Sequence, residues 1–430
     1  MIRRLALLLA AIAFAACGGP DPAPARSDRP HVVVIVADDL GWADVGYHGG
    51  TIATPAINRL AAEGRRLERF YACPMCSPSR AQVLTGRSAV RHGILRNLKP
   101  QTDRGLPLGE PTLADRLRAA GYATTLVGKW HLGHGTDAQG PHARGFDRTY
   151  GHLRGWIDYA NHECDGIPDW YRDGQPLDEP GYATTLLADE AVRVLEQHDP
   201  ETPLFLYLAF NAPHPPLHAA PGIPPDAPGA AGFYRSMVRA LDDGVGRVVD
   251  AIDRAGLRDD CVLVFLSDNG GSLKFGGRND PLAGGKYSVS EGGLRVPAIV
   301  SWPGVVAPGS DVAFTSTLDL APTLAAAAGK PMPPTETDGV DMLPVWTGAV
   351  PTSDHPIVVS VEHAKRRKSA LLEAPYKLVH ETPTGGGTPT VSLFDVVADP
   401  EERSDLSGSE PDRVQAMEER LRRTLDDWGG

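Results

Sequence analysis

The sequence predicts an α/β fold: a large mixed, mostly parallel sheet sandwiched by helices, followed by a smaller C-terminal α+β subdomain. The first observation is a continuous, largely β-branched run, His31–Ala37, which is typical of a strand buried on both faces of a parallel sheet. The second is that further apolar runs alternate with helical patterns along the chain. The third is a change near Gly339, after which short runs and turn-rich joins replace the long alternation.

Four more apolar runs predict strands of the same sheet, and two segments between them have helical periodicity. The longer helical segment carries its hydrophobic residues on one face, as expected for a helix that covers a sheet. The predicted strands are residues 123–127, 204–210, 262–266 and 296–301, and the predicted helices are residues 112–120 and 233–252. We assign residues 31–345 to the main domain.

Residues 346–430 form the predicted subdomain, with a short antiparallel sheet and a closing helix. Its predicted strands are residues 357–361, 376–379 and 392–396. Ser409 is the expected cap of the closing helix. The apolar residues of that helix share one face: Val414, Met417, Leu421, Leu425 and Trp428.

Residues 1–17 predict a signal peptide. Arg3 and Arg4 precede an apolar run that ends at Cys17. Small residues before a cysteine are typical of a bacterial lipoprotein signal, in which the cysteine is lipidated; an ordinary secretory signal is the alternative. Residues 18–30 predict a flexible tether. We therefore expect an exported protein in the periplasm or at the cell surface, attached to the membrane only through the lipid on Cys17.

Composition excludes several classes of protein. The 430 residues carry 42 Lys and Arg against 54 Asp and Glu, for a formal net charge of −12. Such an acidic chain is not expected to bind nucleic acid. Five cysteines in a chain of this length do not make a disulfide scaffold.

Polar residues follow four of the predicted strands, and parallel strands deliver such residues to one edge of a sheet. Asp38 and Asp39 follow the first strand, and Asp268 and Asn269 follow the fourth. Their oxygens are hard ligands that suit calcium or magnesium rather than zinc. A divalent cation ringed by positive or protonatable groups suits a tetrahedral oxyanion, either sulfate or phosphate. The sequence supplies such groups in Lys129, His131, His214, Arg80 and Lys286.

The most informative segment is Cys76-Ser77-Pro78-Ser79-Arg80, followed by Leu-Thr-Gly-Arg at residues 84–87. A free cysteine before a turn is one alternative, and a metal-binding pair with Cys73 is another. The second alternative lacks the further pair that a zinc site needs. The segment resembles the signature of the type I sulfatases, in the arylsulfatase A/B-like branch of the alkaline phosphatase superfamily. The resemblance implies an alkaline-phosphatase-like fold.

Motifs along nearly the whole chain carry the same resemblance. The metal motifs of the family resemble Asp38-Asp39-Leu40-Gly41-Trp42 and residues 267–271. Its other signatures resemble residues 128–133 (Gly-Lys-Trp-His-Leu-Gly), 211–214 (Asn-Ala-Pro-His), 284–286 (Gly-Gly-Lys), 291–297 and 393–400.

The resemblance implies roles for these residues. A dedicated formylglycine-generating enzyme would oxidise Cys76 to Cα-formylglycine (3-oxoalanine), whose hydrate offers one hydroxyl to attack sulfur and a second whose deprotonation expels sulfate. Arg80 and Lys129 would hold the hydrate, His131 would act as base, and His214 would donate a proton to the leaving oxygen. Lys129, His214 and Lys286 would bind the sulfate group. A calcium ion, with magnesium as the alternative, would be held by Asp38, Asp39, Asp268, Asn269 and the modified Cys76.

The expected activity is therefore hydrolysis of a sulfate monoester of a small molecule or glycan, as a sulfuric ester hydrolase. Phosphonate monoester or phosphodiester hydrolysis is the alternative within the superfamily, and a non-catalytic glycan-binding protein is the alternative outside enzymes. Residues 150–182 and 215–232 are expected to shape the leaving-group site. Its aromatic residues Trp156, Tyr159, Trp170 and Tyr171 are candidates for an aromatic wall against a sugar, with core packing as the default interpretation. Two of Cys73, Cys164 and Cys261 are candidates for a disulfide.

Overall fold

The first strand occupies the middle of the molecule. In the computed structural model, which describes residues 29–352 and 355–429, all seven residues of β1 (His31–Ala37) are buried. Successive side chains point to opposite faces, so Val32, Val34 and Val36 join one core and Val33 and Ile35 join the other. Burying each such side chain stabilises the fold by roughly 1.5–3 kcal/mol, which explains why the strand has no polar residue after His31.

Seventeen further strands follow β1 among the described residues. They are β2 (Arg65–Leu67), β3 (Phe70–Tyr71), β4 (Ala123–Lys129), β5 (Arg148–His152), β6 (Glu163–Cys164), β7 (Ile167–Pro168), β8 (Tyr171–Arg172), β9 (Gln175–Pro176), β10 (Leu204–Ala209), β11 (Cys261–Ser267), β12 (Ala298–Ser301), β13 (Gly309–Asp311), β14 (Thr315–Ser316), β15 (Ile357–His363), β16 (Arg366–Glu373), β17 (Tyr376–Pro383) and β18 (Thr390–Asp395).

The main sheet has ten strands in the order β13-β2-β12-β11-β1-β10-β4-β5-β8-β9. Its five central strands, from β11 to β5, are parallel, whereas β12 and β8 pair antiparallel at either side. This mixed, mostly parallel sheet confirms the predicted fold class. It also places the carboxyl ends of β1, β4, β10 and β11 along one edge, as the sequence predicts.

Helices cover both faces of the sheet. Those on one face are α1 (Pro55–Glu63), α5 (Ala183–Gln197) and α6 (Gly229–Arg254). Those on the other are α2 (Cys76–Thr85), α4 (Leu113–Ala119), α8 (Thr317–Ala327) and α9 (Leu343–Trp346), while α3 (Ala89–His92) and α7 (Glu291–Leu294) are single turns in the connecting segments. Within the described residues, every helix is too short or too polar to cross a lipid bilayer.

The C-terminal subdomain is an antiparallel sheet, β15-β16-β17-β18, with α10 (Pro411–Asp427) against one face. Its other face packs on the main domain, where Val359 and Leu372 share an apolar cluster with Tyr71 and Met75. The subdomain therefore covers the segment that leads into α2.

The sequence missed β16 and misplaced one cap. Strand β16 begins with Arg-Arg-Lys, whose charges hide the apolar half that follows. Glu410, not Ser409, is the residue before α10, and Pro411 occupies the first helical position, where its fixed φ is favourable. The predicted signal peptide and most of the predicted tether, residues 1–28, lie outside the described residues.

Candidate active site

The acidic residues from two strand ends lie side by side. Strands β1 and β11 are adjacent and parallel along their whole length, so the residues that follow them emerge together. The backbone N–H of Asp39 donates to Asp268 Oδ1 at 3.3 Å, and Asn269 Nδ2 donates to Asp39 Oδ1 at 2.8 Å. Asp38, Asp39, Asp268 and Asn269 are all almost completely buried. The structure thus brings together the four oxygen ligands that the sequence predicts.

Cys76 begins α2 next to this cluster. Its Sγ lies 3.4 Å from Asp38 Oδ1, 4.0 Å from Asp39 Oδ1 and 3.6 Å from Lys286 Nζ. Burial, reinforced by the negative charge of Asp268, raises the pKa of the Cys76 thiol well above its usual range. Since the thiolate rather than the thiol is the nucleophile, the unmodified side chain is poorly suited to attack an ester.

Two cations neutralise carboxylates behind Cys76. Lys129 Nζ is 2.6 Å from Asp38 Oδ2, and Arg80 Nε and Nη2 are 2.9 Å and 2.7 Å from Asp268 Oδ2. Burial alone would lower the pKa of Arg80, but Asp268 and Asp38 raise it above its usual value. Both cations are fully buried, so their positive charge is directed into the site rather than dissipated in solvent.

Lys286 is the third cation that contacts a carboxylate of the site. Its Nζ lies 2.6 Å and 2.7 Å from the two carboxylate oxygens of Asp39. Burial opposes the charged amine, yet Asp39 raises the pKa of Lys286 well above its usual value. Three carboxylates and three cations therefore balance one another, and a divalent cation would make the cluster positive. Such a cluster is suited to an anionic ester.

His131 follows β4 and is held by a neighbouring loop. Its Nε2 lies 3.0 Å from the carbonyl oxygen of Leu98, which leaves the buried Nδ1 without a partner among the described residues. Burial, with Lys129 nearby, lowers the pKa of His131 well below its usual value, so the ring is neutral. Ser77 Oγ donates to the backbone oxygen of His131 at 3.0 Å and accepts from the Leu98 N–H at 3.1 Å. The sequence did not predict the contacts of Ser77 with His131 and Leu98, because backbone carbonyl and N–H groups have no sequence signal.

His214 enters from the loop after β10. Its Nδ1 is 2.6 Å from the Pro215 carbonyl oxygen, so the ring presents Nε2 to the site, 3.9 Å from Asp39 Oδ2. Burial lowers the pKa of His214 to about 3. The hydroxyl of Tyr159 lies 2.8 Å from the His214 carbonyl and 2.6 Å from that of Asn211, which fixes the loop.

The donor set fits a hard divalent cation. Ligand atoms of Asp38, Asp39, Cys76 and His214 all lie within 4.8 Å of one another. Beside them, the buried Oδ1 of Asn269 has no hydrogen-bond partner among the described residues. An unpaired buried acceptor is costly, and a cation bound between Asp39 and Asn269 would satisfy it. These oxygens suit calcium or magnesium.

The sequence matches the models of two known protein families. A sequence model of the family described as "Sulfatase" matches residues 30–330. The chain belongs to the sulfatase family. A second model, described as "N-sulphoglucosamine sulphohydrolase, C-terminal", matches residues 285–428 of this sulfatase. The family predicted from the Cys76 segment is therefore confirmed.

Individual relatives agree with the family. This sulfatase is 37% identical over 297 residues to arylsulfatase J of Mus musculus, covering 66% of this chain and 50% of that protein. It is 36% identical over 371 residues to N-acetylgalactosamine-6-sulfatase of the same species, covering 80% and 69% respectively. It also resembles the crystal structure of Ps i-CgsB in complex with k-i-k-neocarrahexaose, at 33% identity and a TM-score of 0.84 over 92% of this chain and 93% of that chain. These similarities indicate a sulfuric ester hydrolase.

The four aromatic residues predicted near the leaving-group site divide into two groups. Tyr159 and Trp170 are buried, at 1% and 2% exposure, and so contribute to packing rather than to an open wall. Trp156 and Tyr171 are half-buried. Of these four residues, Trp156 and Tyr171 retain surface that a substrate could touch.

The expected disulfide is absent. Cys73, Cys164 and Cys261 are buried and free, as is Cys76, among the described residues. Cys261 begins β11 in the core of the main sheet, whereas Cys73 lies in the apolar cluster under the C-terminal subdomain. Because Cys73 and Cys261 lie in different cores, these two cannot pair with each other.

Proposed function

We propose that this sulfatase hydrolyses sulfate monoesters of a carbohydrate through a formylglycine nucleophile made from Cys76, assisted by calcium. The observation that carries the proposal is the position of Cys76, within 4.0 Å of Asp38, Asp39 and Lys286, as a thiol whose pKa is raised. A thiol in that state is a poor nucleophile. Oxidation of the side chain to an aldehyde would supply, as its hydrate, a hydroxyl nucleophile at the same place.

Asp38, Asp39, Asp268 and Asn269 would hold the calcium ion, together with the modified Cys76. The support is the clustering of their oxygens and the unpaired Oδ1 of Asn269. When bound, the ion would supply positive charge that polarises the sulfate oxygens.

The buried cations would bind and orient the reacting groups. Lys129 and Arg80 lie on the Asp38 and Asp268 side of the cluster and would hold the hydroxyls of the modified side chain. Lys286, between Asp39 and Cys76, would bind a sulfate oxygen. Because these side chains are buried, they need little rearrangement as negative charge develops on the ester.

Two histidines would move protons. The unpaired Nδ1 of His131 would accept the proton of the second hydroxyl, since its ring is neutral and fixed by Leu98. The Nε2 of His214 faces Asp39 and would pass a proton to the leaving oxygen. A bound anionic ester favours the protonated form of an adjacent imidazole, which offsets the lowered pKa of His214.

A carbohydrate substrate is supported by two of the similar proteins: one is named N-acetylgalactosamine-6-sulfatase, and the other, Ps i-CgsB, has a crystal structure in complex with k-i-k-neocarrahexaose. Export and a lipid on Cys17 are part of the proposal, supported by the apolar run before that cysteine. Labelling with a radioactive fatty acid tests the anchor: wild type should be labelled and Cys17→Ala should not.

The test of the reaction compares 4-nitrophenyl sulfate with bis(4-nitrophenyl) phosphate, using protein produced together with a formylglycine-generating enzyme. Mass spectrometry of the peptide containing Cys76 should detect the aldehyde. We expect kcat/KM to favour the sulfate ester. A preference for the phosphodiester would assign the site to diester hydrolysis, and no turnover by fully modified protein would favour the glycan-binding alternative.

A further inference from the structure

A cavity of about 370 Å³ is lined by residues adjacent in the chain to Cys76 and Lys286. Met75 and Tyr287 line it, and each is the direct chain neighbour of one of those two residues. Lys286 Nζ is 3.6 Å from Cys76 Sγ and 5.3 Å from the centre of the Tyr287 ring. A glycan whose sulfate group contacts Lys286 therefore lies next to this cavity. A separate cavity of about 430 Å³, between α10 and the C-terminal sheet, contains none of these residues.

The wall of the cavity beside Cys76 is strongly positive. Arg96 and Lys99 come from the segment after α3, Lys365 comes from the β15–β16 turn, and Arg366 is the first residue of β16. Glu362 is the one carboxylate in this lining. Four cations against one anion are notable in a chain of net charge −12. Such a concentration of one sign attracts an anionic ligand.

Two of these cations are free to bind a ligand. Lys99 and Lys365 are exposed, and no carboxylate forms an ion pair with either of them among the described residues. Arg366, in contrast, is 2.9 Å from Glu381, and Arg96 pairs with Glu362. The paired arginines shape the cavity, whereas the two lysines have no protein partner to give up when they bind an anion.

The turn that carries Lys365 is fixed against the segment that carries Lys99. Ala364 and Lys365 have φ values of 49° and 60°, the left-handed conformation of a two-residue hairpin turn. The Glu362 N–H donates to the Leu95 carbonyl at 2.7 Å, and the Thr384 N–H donates to that of Lys365 at 2.9 Å. The backbone segments that carry the two lysines are thus joined before any ligand arrives, which lowers the entropic cost of binding.

An aromatic surface completes the cavity. The rings of Tyr287 and His363 stack with centroids 4.4 Å apart and planes 9° apart. Tyr287 has a φ of 74°, uncommon for an aromatic residue, and its N–H donates to the Pro74 carbonyl at 2.9 Å. Lys368 Nζ donates to the Tyr287 carbonyl at 3.3 Å. The backbone is therefore held so that a flat ring pair, suited to the apolar face of a sugar, lies beside the cations.

We propose that this cavity is a second anion-binding subsite, which takes a further sulfate group of the same glycan while the first occupies the site at Cys76. The inference rests on the proposed function and narrows it: the preferred substrates are multiply sulfated chains. Lys99 and Lys365 contact the second sulfate, and the Tyr287–His363 pair contacts the sugar between the two sulfate groups.

Binding to full-length, calcium-loaded Cys76→Ala protein tests the subsite without requiring turnover. The ligands are multiply sulfated hexasaccharides from carrageenan, chondroitin sulfate and heparin, with N-acetylgalactosamine 6-sulfate as a singly sulfated reference and hyaluronan hexasaccharide as a carboxylate-only reference. Isothermal titration calorimetry should find at least one multiply sulfated probe that binds more tightly than either reference. Equal binding of hyaluronan would overturn the assignment to sulfate.

The lysines are tested by Lys99→Gln combined with Lys365→Asn, since Asn tolerates the left-handed backbone. The double variant should bind the preferred hexasaccharide about tenfold more weakly and with a smaller dependence on salt. Lys330→Gln, an exposed lysine outside the cavity, is the matched control. Unchanged affinity in the double variant, or no preference for multiple sulfates, would refute the subsite. Turnover of 4-nitrophenyl sulfate by modified wild type separately reports on the proposed function.

Discussion

At the scale of single residues, Cys76 lies where the proposed mechanism needs a nucleophile, but burial raises the pKa of its thiol and makes it a poor one. We expect Cys76→Ala to reduce turnover of 4-nitrophenyl sulfate by roughly 10⁴-fold or more, because no hydroxyl nucleophile can be formed there. Steady-state kinetics measure the loss, and circular dichroism should show an intact fold. Cys261→Ala, at a buried cysteine in β11, is the control and should retain turnover. Substantial activity in Cys76→Ala would refute the nucleophile assignment.

Asn269 is the uncharged member of the proposed calcium site. Asn269→Leu removes the unpaired Oδ1 but leaves the neighbouring ion pairs in place. We expect calcium affinity to fall by about tenfold or more, in line with the loss of a ligand group. Calorimetric titration of calcium into metal-free protein measures this without any substrate. Asn161→Leu, on the surface, should bind calcium as wild type does; the same affinity in Asn269→Leu would remove this residue from the site.

His31, at the opposite end of β1, makes stability depend on pH. Its Nδ1 accepts a hydrogen bond from the Leu204 N–H at 3.2 Å, and burial lowers the pKa of His31 from 6.5 to about 4. The unfolded chain therefore takes up a proton that the folded protein excludes, so the free energy of unfolding falls as pH decreases from 6.5 towards 4.

Urea unfolding at about pH 7 and about pH 5 tests this dependence. His31→Asn keeps an acceptor for Leu204 but does not titrate, so it should lose less stability on acidification than wild type does. His142→Asn, at an exposed position, should keep the wild-type difference. Identical acid sensitivity in His31→Asn would assign the effect to other groups.

At the scale of elements, one buried lysine joins the C-terminal sheet to the segment that carries Lys286. Lys377, on β17, is fully buried, with its Nζ 2.8 Å from Glu291 Oε1 and 2.7 Å from Glu402 Oε1. Burial raises the pKa of Glu402, and Lys377 opposes that rise. The ion pairs therefore hold α7, and with it the preceding loop, against the subdomain.

Lys377→Met should lower the free energy of unfolding by about 3–5 kcal/mol, because two buried carboxylates lose their common cation. Urea denaturation measures the change. Adding Glu291→Gln and Glu402→Gln to the same variant removes the uncompensated charge and should restore part of the loss. If Lys377→Met alone were as stable as wild type, the pairing would have no structural role.

Strands that are apolar along their whole length could be predicted from the sequence, whereas a strand that is part charged and part apolar could not. The predicted strand 204–210 and the observed β10 (Leu204–Ala209) differ by one residue, because a strand buried on both faces is uniformly apolar. Strand β16 escaped detection because its first half is charged, and that half begins at the turn carrying Lys365. The charged residues that hid the strand thus directly follow Lys365, one of the two lysines proposed to bind a second sulfate group.

At the scale of the whole molecule, topology explains why the site could be predicted from residues far apart in sequence. Parallel strands place their carboxyl ends at one edge, so Asp39 and Asn269 could be expected together although 230 positions separate them. No comparable rule predicts the contacts that loop residues make. One example is the hydrogen bond between the Leu98 carbonyl and His131, and another is the ion pair between Lys377 and Glu291.

For the proposed oxidation of Cys76, the burial of α2 sets an order of events during biosynthesis. All ten of its residues, Cys76–Thr85, are inaccessible in the folded protein, and the C-terminal sheet packs over the segment before them. An enzyme that reads the Cys76 segment could reach it only on a chain that has not yet folded. Oxidation and folding would then compete, and a molecule that folds first would remain an inert thiol. Unmodified protein given the modifying enzyme after folding should stay inactive, whereas the same addition to the nascent chain should produce active protein.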